Sequence, residues 1–267
     1  MQSQPLIQLR NISRTFESVK GDKIHSLDDV SLDIYTNEFV SIVGPSGCGK
    51  STLLKIIGGL LKPTSGTLTV DGEEVKGAVG DVGFVFQSAT LFPWRNVEGN
   101  IMLPIDVKHL DRGQYAQRGK DLISLTGLQG FENKYPFELS GGMQQRVSIV
   151  RALIHNPKII LMDEPFGALD AMTREQMGLE LLRIWQSQRI TTVFVTHDIG
   201  EAIFLSDRVV TMSPRPGRIV KILDVRLPRP RDLSVMAERQ FLDLQLEIRS
   251  ALHLLRNTKN EQAPNLT

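Results

Sequence analysis

The segment "GPSGCGKST", Gly44 to Thr52, decides the fold of this chain. The preceding "EFVSIVG" is typical of a short buried strand, and "KSTLLKIIGG" predicts a helix that ends near Gly58 and Gly59. Glycines at such a junction let backbone amides turn inward around phosphate groups. Lys50 can reach the outer phosphates, and the Ser51 hydroxyl can ligate Mg²⁺. A plain glycine-rich turn is the alternative, but the flanking strand and helix favour a nucleotide site. The predicted nucleotide-binding residues of this loop are Gly44, Pro45, Ser46, Gly47, Cys48, Gly49, Lys50, Ser51 and Thr52.

Two carboxylates follow a second apolar run. "KIILMDEP" predicts a buried strand that ends in Asp163 and Glu164, at the carboxyl edge where ligands bind in parallel sheets. Asp163 is expected to hold Mg²⁺, and Glu164 to polarise the attacking water. A solvated acidic turn is the alternative, and the phosphate loop upstream favours the catalytic interpretation.

The pattern of strands and helices predicts an α/β fold. In "VSLDI", Val30, Leu32 and Ile34 alternate with polar residues, which indicates a half-buried strand of an antiparallel sheet. "KIILMDEP" and "ITTVFVTHD" are strand-like runs, and "MTREQMGLELLRIWQSQ" between them has helical spacing. Strand, helix, strand in this order implies a parallel sheet with right-handed crossovers.

The composition limits the partners and the cellular location that are expected for this chain. The chain has 267 residues, a formal net charge of +1 and 41% hydrophobic residues, so no nucleic-acid partner is expected. The single cysteine, Cys48, excludes an internal disulfide and suits a reducing compartment. No signal peptide and no run of about 20 apolar residues is evident, so a cytosolic chain is expected.

Three single residues and one further motif remain open at this point. Gln87 follows the strand-like "GDVGFVF" and could reach metal or water, and His197 follows "TTVFVT", where a γ-phosphate contact would be useful. Phe16 could stack on adenine. Each of the three also suits an ordinary structural role. "ELSGGMQQRV", Glu138 to Val147, is a second glycine-rich helix start, although the chain already has one phosphate site.

Taken in order, these motifs resemble the ATP-binding cassette (ABC) ATPases. The phosphate loop, Gln87, "LSGGMQQR", "LMDEP", "ALD" and "VTHD" carry the resemblance, which covers residues 5 to about 215. It implies ATP and Mg²⁺ as cofactors, with Phe16 stacking on adenine. It also implies Glu164 as catalytic base, His197 as γ-phosphate sensor and Gln87 as the link to a transporter. The implied metal ligands are Ser51, Gln87 and Asp163, and the implied catalytic residues are Glu164, His197 and Gln87.

The resemblance also explains the second glycine-rich helix start. In this family two cassettes pack head to tail, and the signature of one copy binds the γ-phosphate held by the other. Asp170 is the implied dimer-contact residue. The signature residues that would act on the partner's ATP are Leu139, Ser140, Gly141, Gly142 and Gln144.

The resemblance implies a P-loop NTPase fold with three parts. A RecA-like core is expected at about 5–87 and 156–220, with an N-terminal antiparallel β subdomain and an inserted α-helical subdomain at about 88–155. The ABC ATPase domain as a whole is expected at 5–240, a C-terminal hairpin and helix at 221–255, and a disordered tail at 256–267. Asn37 stands where the family usually has glycine, and asparagine tolerates the positive φ of such a turn.

Within the family, the sequence favours the energy subunit of an importer. A DNA-handling member would need a long coiled coil, and a ribosome-associated member would carry two cassettes. Glu164 and His197 argue against a module that does not hydrolyse ATP. Such a subunit would be peripheral, at the cytoplasmic face of the inner cell membrane. Its partners would be a second copy, integral membrane permease subunits and, indirectly, a substrate-binding protein.

Two segments bear on the type of importer. "LFPWRNVEGNIMLP" resembles the segment that receives the permease, but Leu91, Phe92, Trp94 and Met102 suit the core of the helical subdomain equally well. "SPRPGRIVKILDVRLPRPRD" looks like the tail of the nitrate, sulfonate and taurine importer group. The alternative is a lone cassette for lipid or lipoprotein traffic, another small anion or a pyrimidine precursor.

Overall fold

The computed structural model of the chain describes residues 4–18, 21–167 and 169–260, with side chains up to residue 252. The strands are β1 Ile7–Glu17, β2 Lys23–Ile34, β3 Phe39–Val43, β4 Ser65–Val70, β5 Glu73–Glu74, β6 Val82–Val85, β7 Ile159–Asp163, β8 Thr191–Thr196, β9 Arg208–Met212 and β10 Ile219–Asp224. The helices are α1 Lys50–Ile57, α2 Val97–Ile101, α3 Leu103–Val107, α4 Arg112–Leu125, α5 Gly141–Leu153, α6 Ala171–Gln188, α7 Ile199–Leu205 and α8 Arg239–Asn260. Short 3₁₀ turns span Pro136–Glu138 and Leu233–Ala237.

The chain forms two compact units. One comprises residues 1–79 with 193–267, and the other comprises residues 80–192. The first unit contains an antiparallel sheet in the order β2-β1-β4-β5. On β2, Val30, Leu32 and Ile34 are buried and Ser31 is exposed, as the alternation predicts. This sheet confirms the predicted antiparallel layer of an α/β fold.

The strand that leads to the phosphate loop also lies in the first unit. All five residues of β3 are buried, as expected for a strand covered on both faces. β3 pairs in parallel with β9, and β10 pairs antiparallel with β9. Asn37, in the turn before β3, has φ 62°, which confirms the left-handed conformation expected there.

The second unit is built around α5. Strands β6 and β7 pair in parallel, and α5 packs on β6 and on α2. In α6, Met177, Leu181, Ile184 and Trp185 are buried at the predicted helical spacing. Because β6, β7 and α6 belong to this unit, it extends beyond the helical subdomain expected at 88–155.

The segment after β10 is fixed to the end of α7. The buried guanidinium of Arg231 donates to the carbonyls of Ile203, Phe204 and Ser206 at 2.8–3.0 Å, and to Leu227 at 3.1 Å. The carbonyls of Ile203, Phe204 and Ser206 are among those that a helix leaves without partners at its C-terminal end. Burial lowers the pKa of Arg231 to about 10, so it remains charged at neutral pH.

The final helix runs further than the sequence predicts. Phe241 and Ile248 are buried and, seven residues apart, lie on one face of α8. The helix continues to Asn260, so residues 256–260 are helical and do not belong to a disordered tail. The rest of that predicted tail, 261–267, lies outside the described residues. Within the described ranges, no helix combines the length and apolarity needed to cross a membrane.

Candidate functional site

The phosphate loop joins β3 to α1 as the sequence predicts. Gly49 has φ 110°, and a Cβ there would lie 2.8 Å from the carbonyl oxygen of Ser26, so only glycine fits. Lys50 is 4% exposed, and its Nζ donates to the carbonyls of Gly44 at 2.9 Å and Pro45 at 3.2 Å. The ammonium thus lies against the inner face of the loop, and the N-terminal end of α1 opens beside it. This arrangement suits a polyphosphate.

The other residues of the loop divide between its rim and its base. Ser46 and Gly47 are exposed, whereas Cys48 is 1% exposed beneath them. Ser51 and Thr52 are half-buried in the first turn of α1. A ligand can therefore approach the rim, while the thiol is part of the core.

The two predicted catalytic carboxylates follow β7. Asp163 ends the strand and is 8% exposed, and Glu164 is half-buried. Glu164 has φ 44°, a conformation that is costly for a residue other than glycine and that recurs at functional sites. The backbone therefore changes direction between the strand and Glu164, at the residue predicted to act as the base.

The signature motif opens α5. Ser140 is the N-cap residue, and its Oγ accepts from the Met143 amide at 3.3 Å. Gly141 is exposed, with open space around the position of a Cβ. Leu139 is buried, and Gln144 donates to the Pro136 carbonyl at 2.8 Å. The helix start at Ser140 and Gly141 is thus available to an anion, while Leu139 and Gln144 stabilise the turn before it.

Gln87 lies in an exposed loop that α5 holds at both ends. Gln145 donates to the Phe86 carbonyl at 3.3 Å. Arg151 donates to the carbonyls of Ala89 at 2.8 Å and Thr90 at 2.9 Å. The helix that begins with the signature therefore anchors the loop that carries Gln87. No pattern in the sequence singled out Arg151, because an arginine in a helix is usually exposed.

His197 is exposed immediately after β8. Asp198 caps α7 by accepting from the Glu201 amide at 3.0 Å, and its own amide donates to Thr196 Oγ1 at 3.0 Å. Thr196 Oγ1 in turn donates to a Glu201 carboxylate oxygen at 2.6 Å. This network fixes the backbone on both sides of His197.

Two further predicted residues have definite local partners. Asp170 caps α6 and accepts from the Thr173 amide at 3.0 Å and hydroxyl at 2.6 Å, which lower the pKa of Asp170. It is also exposed, as a dimer contact would require. Phe16 is half-buried, and the Arg14 guanidinium lies 4.6 Å from the centre of its ring. One face of Phe16 is therefore covered by a cation–π contact.

The predicted residues fall into two groups. Phe16, the phosphate loop and His197 belong to the first unit. Gln87, the signature, Asp163, Glu164 and Asp170 belong to the second unit. Within each unit, the residues lie at strand ends and helix starts, where backbone groups remain available to a ligand.

The segment that resembles a permease-receiving surface is partly exposed. Trp94 is 70% exposed with its ring 4.9 Å from that of Phe92, whereas Met102 is 6% exposed and belongs to the core. Buried Asn100 shapes the loop, because its side chain bonds the amide of Phe92 at 2.8 Å and the carbonyl of Arg95 at 2.8 Å. The structure therefore places Met102 in the core and Trp94 on the surface, and contact of that surface with a permease stays a prediction.

The fold, the phosphate loop, the acidic strand end and the capped signature helix define a class. The chain belongs to the ABC transporter family, whose family model matches residues 27–167, and it is an ABC ATPase.

Individual relatives cover most of the chain. It is 47% identical over 246 residues to an uncharacterised ABC transporter ATP-binding protein of Methanocaldococcus jannaschii, which covers 92% of this chain and 91% of that protein. It is 45% identical over 253 residues to the taurine import ATP-binding protein TauB of Rhizobium johnstonii. This match covers 93% of this chain and 97% of that protein. The solved dimeric structure of MJ0796, a bacterial ABC transporter cassette, has a TM-score of 0.74 and 36% identity, covering 83% of this chain and all of that one.

Proposed function

We propose that this chain is the ATP-hydrolysing subunit of an ABC importer for a small solute such as taurine, another sulfonate or nitrate. The observation that carries the proposal is the phosphate loop, where buried Lys50 lies against the carbonyls of Gly44 and Pro45. The full-length similarity to a taurine import protein supports the importer assignment. The inclusion of nitrate rests on the tail beginning "SPRPGR", which resembles that of the nitrate, sulfonate and taurine importer group.

In this proposal the loop binds the phosphates of ATP, and Phe16 stacks on the adenine with the face opposite Arg14. The chemistry of the donors suits Mg²⁺, because Ser51, Gln87 and Asp163 offer only oxygen ligands and a single carboxylate. Within the described ranges, no group of three or more His, Cys, Asp or Glu residues could hold a metal. Mg²⁺ would neutralise developing phosphate charge.

Glu164 would take the proton of the attacking water, and His197 would donate to the γ-phosphate. The signature start at Ser140 and Gly141 would bind the γ-phosphate of a second copy, because a helix start with no acidic residue in its first turn favours an anion. The dimeric state of the similar cassette supports this arrangement. Permease subunits, acting with a substrate-binding protein, would place the chain at the cytoplasmic face of the membrane.

The catalytic assignment is tested with Glu164→Gln. Removal of a positioned base is expected to lower turnover by about 10²–10⁴-fold while ATP binding persists. Glu175→Gln, an exposed carboxylate on α6, is the matched control and should hydrolyse ATP like the wild type. Near-normal hydrolysis by Glu164→Gln would reject Glu164 as the base.

The importer assignment is tested by purifying the chain from its native membrane with its permease. The expected permease supports uptake of labelled taurine, an alkanesulfonate or nitrate in vesicles that also contain the substrate-binding protein. A permease that extracts lipoproteins or moves lipids would instead assign the chain to the alternative class.

A further inference from the structure

The loop between β9 and β10, Ser213–Arg218, is a small closed structure. The backbone amide of Ser213 donates to the Arg218 carbonyl at 2.9 Å, and the Arg218 amide donates to the Ser213 hydroxyl at 3.0 Å. That hydroxyl also lies 3.0 Å from the carbonyls of Pro214 and Pro216. These bonds, with two prolines, restrict the conformations that this hairpin loop can adopt.

The hairpin loop is attached to β2. The Gly217 amide donates to the Ser26 carbonyl at 2.9 Å, and the Asp28 amide donates to the Gly217 carbonyl at 3.0 Å. The Arg218 guanidinium pairs with the Asp28 carboxylate. The Ser26 hydroxyl donates to Thr52 Oγ1 at 3.2 Å, which links the same point of β2 to the first turn of α1. The hairpin loop therefore has a fixed position next to the phosphate loop.

The hairpin loop touches the phosphate loop from its outer side. Arg215 Nε donates to the Gly47 carbonyl at 3.2 Å. A Cβ on Gly217 would overlap the Cys48 carbonyl oxygen, although the φ of Gly217 lies outside the left-handed region. The contact, and not the backbone conformation, therefore requires glycine at this position.

The Arg215 contact fixes the orientation of one peptide group. In a trans peptide the carbonyl of Gly47 and the amide of Cys48 point in opposite directions. The Cys48 amide donates to the Pro45 carbonyl at 3.3 Å, which closes a turn within the phosphate loop. While Arg215 holds the Gly47 carbonyl, the Cys48 amide is kept in this turn, so the loop that would surround the phosphates keeps its shape. Rotation of this peptide group would break the bond from Cys48 to Pro45 and change the shape of the loop.

We propose that the hairpin loop sets the affinity of the phosphate loop for nucleotide, with Arg215 as a positioning residue. This inference rests on the proposed ATP binding. Arg215 acts through the Gly47–Cys48 peptide group, and its positive charge at the outer side adds to the attraction for an anion. Arg215 would hold this peptide group in the same way before and during hydrolysis. Its loss should therefore change the affinity for ATP more than kcat.

The first test is Arg215→Gln, measured by displacement of trinitrophenyl-ATP in the presence of Mg²⁺. Loss of the charged donor is expected to raise the Kd for ATP about fivefold to tenfold. KM for ATP should rise by a similar factor, with kcat changed by less than about twofold. Arg215→Lys, which keeps the charge but not the planar fork, should recover part of the affinity.

Gly217→Ala tests the same contact independently, because the added methyl group displaces the Cys48 carbonyl. The matched control is Arg226→Gln, which removes an arginine beyond β10 whose side chain is 82% exposed. The control should bind ATP like the wild type. Thermal unfolding of each variant shows whether the protein is folded in the assay.

Unchanged ATP affinity in folded Arg215→Gln and Gly217→Ala would overturn the inference. A lowered unfolding temperature with unchanged affinity would also overturn it, since the hairpin loop would then be only structural. Failure of the wild-type chain to bind ATP would reject the proposed function itself, and is seen before any variant is compared.

Discussion

The guanidinium of Arg151 donates a hydrogen bond to the backbone carbonyl of Thr90, 2.9 Å away. Thr90 has φ 44°, so the loop that carries Gln87 ends in an unfavourable backbone conformation at the point where Arg151 holds it. The far end of this loop therefore depends on the buried side chain of Arg151, while Gln145 holds the near end.

Arg151→Met is expected to destabilise the chain by about 1–3 kcal/mol, because the part-buried carbonyls of Ala89 and Thr90 lose a charged donor. Urea unfolding measures this change, and a Gln87 loop released from α5 should be cleaved sooner in limited proteolysis. Arg183→Gln, on the exposed side of α6, is the control and should unfold like the wild type. Equal stability of Arg151→Met and the control would contradict the anchoring role.

Complementation between two inactive variants tests whether each ATP site is shared by two copies. Lys50→Ala removes the phosphate-loop cation, and Ser140→Arg blocks the signature helix start. In a mixed dimer with shared sites, one site carries both defects and the other carries none. We therefore expect ATP occlusion to reappear on mixing, at up to about half of the sites in heterodimers.

The same experiment can give the opposite result. If each chain completes its own site, every site in the mixture contains one defect and occlusion stays absent. Heterodimers must be demonstrated by differently tagged chains, and occlusion must be measured as well as turnover, because one intact site need not support a full cycle.

Trp94 provides a test of the permease surface. Because its side chain is 70% exposed, Trp94→Glu should change the free energy of unfolding by less than about 0.5 kcal/mol. Met102→Glu, in the core, should cost about 2–4 kcal/mol. Among the variants that fold, only Trp94→Glu should copurify with much less permease than the wild type. Normal assembly of this variant would place the permease contact elsewhere.

The half-buried imidazole of His155 is expected to make the folded chain less stable at acid pH. Burial, together with the Lys108 ammonium, lowers the pKa of His155 to about 4, although the Asp81 carboxylate opposes this shift. The unfolded chain has a histidine pKa of about 6.5 and binds the proton more readily. The stability from neutral His155 is therefore complete above about pH 6.5 and is lost as the pH falls towards 4.

His155→Gln removes that proton-binding group. The free energy of unfolding of this variant should fall less between pH 7 and pH 5 than that of the wild type, measured by urea unfolding. His109→Gln, which removes an exposed histidine, should keep the wild-type pH dependence. Identical pH profiles for the wild type and His155→Gln would show that His155 does not carry the effect.

Local spacing was enough to predict much of the fold. The alternation in β2 and the helical spacing in α6 depend on residues close in sequence, and both sets are buried as expected. The glycines of the phosphate loop and Asn37 were equally readable, because each meets a backbone requirement at its own position. Glu164, by contrast, was singled out for its chemistry, and its left-handed backbone could not be read from an acidic pair.

The arginine contacts could not be predicted in the same way. Arg151 and Arg215 bond to carbonyls that lie 61 and 168 residues away in sequence. A backbone carbonyl is present at every residue, so the sequence contains no pattern that marks such an acceptor. For Trp94, local spacing suited both core and surface. Only the folding of the loop before α2 around the buried Asn100 side chain placed Trp94 on the surface.

Arg231 sets a lower limit on the length of chain that can fold as this ATPase. A gene fragment that stopped shortly after β10 would contain every nucleotide-binding motif, yet it would leave the last carbonyls of α7 buried without a donor. The helix that would lose these hydrogen bonds, α7, begins two residues after His197. Recombinant fragments, domain fusions and natural truncations therefore need to keep the polypeptide at least through Arg231, well beyond the last motif that binds ATP.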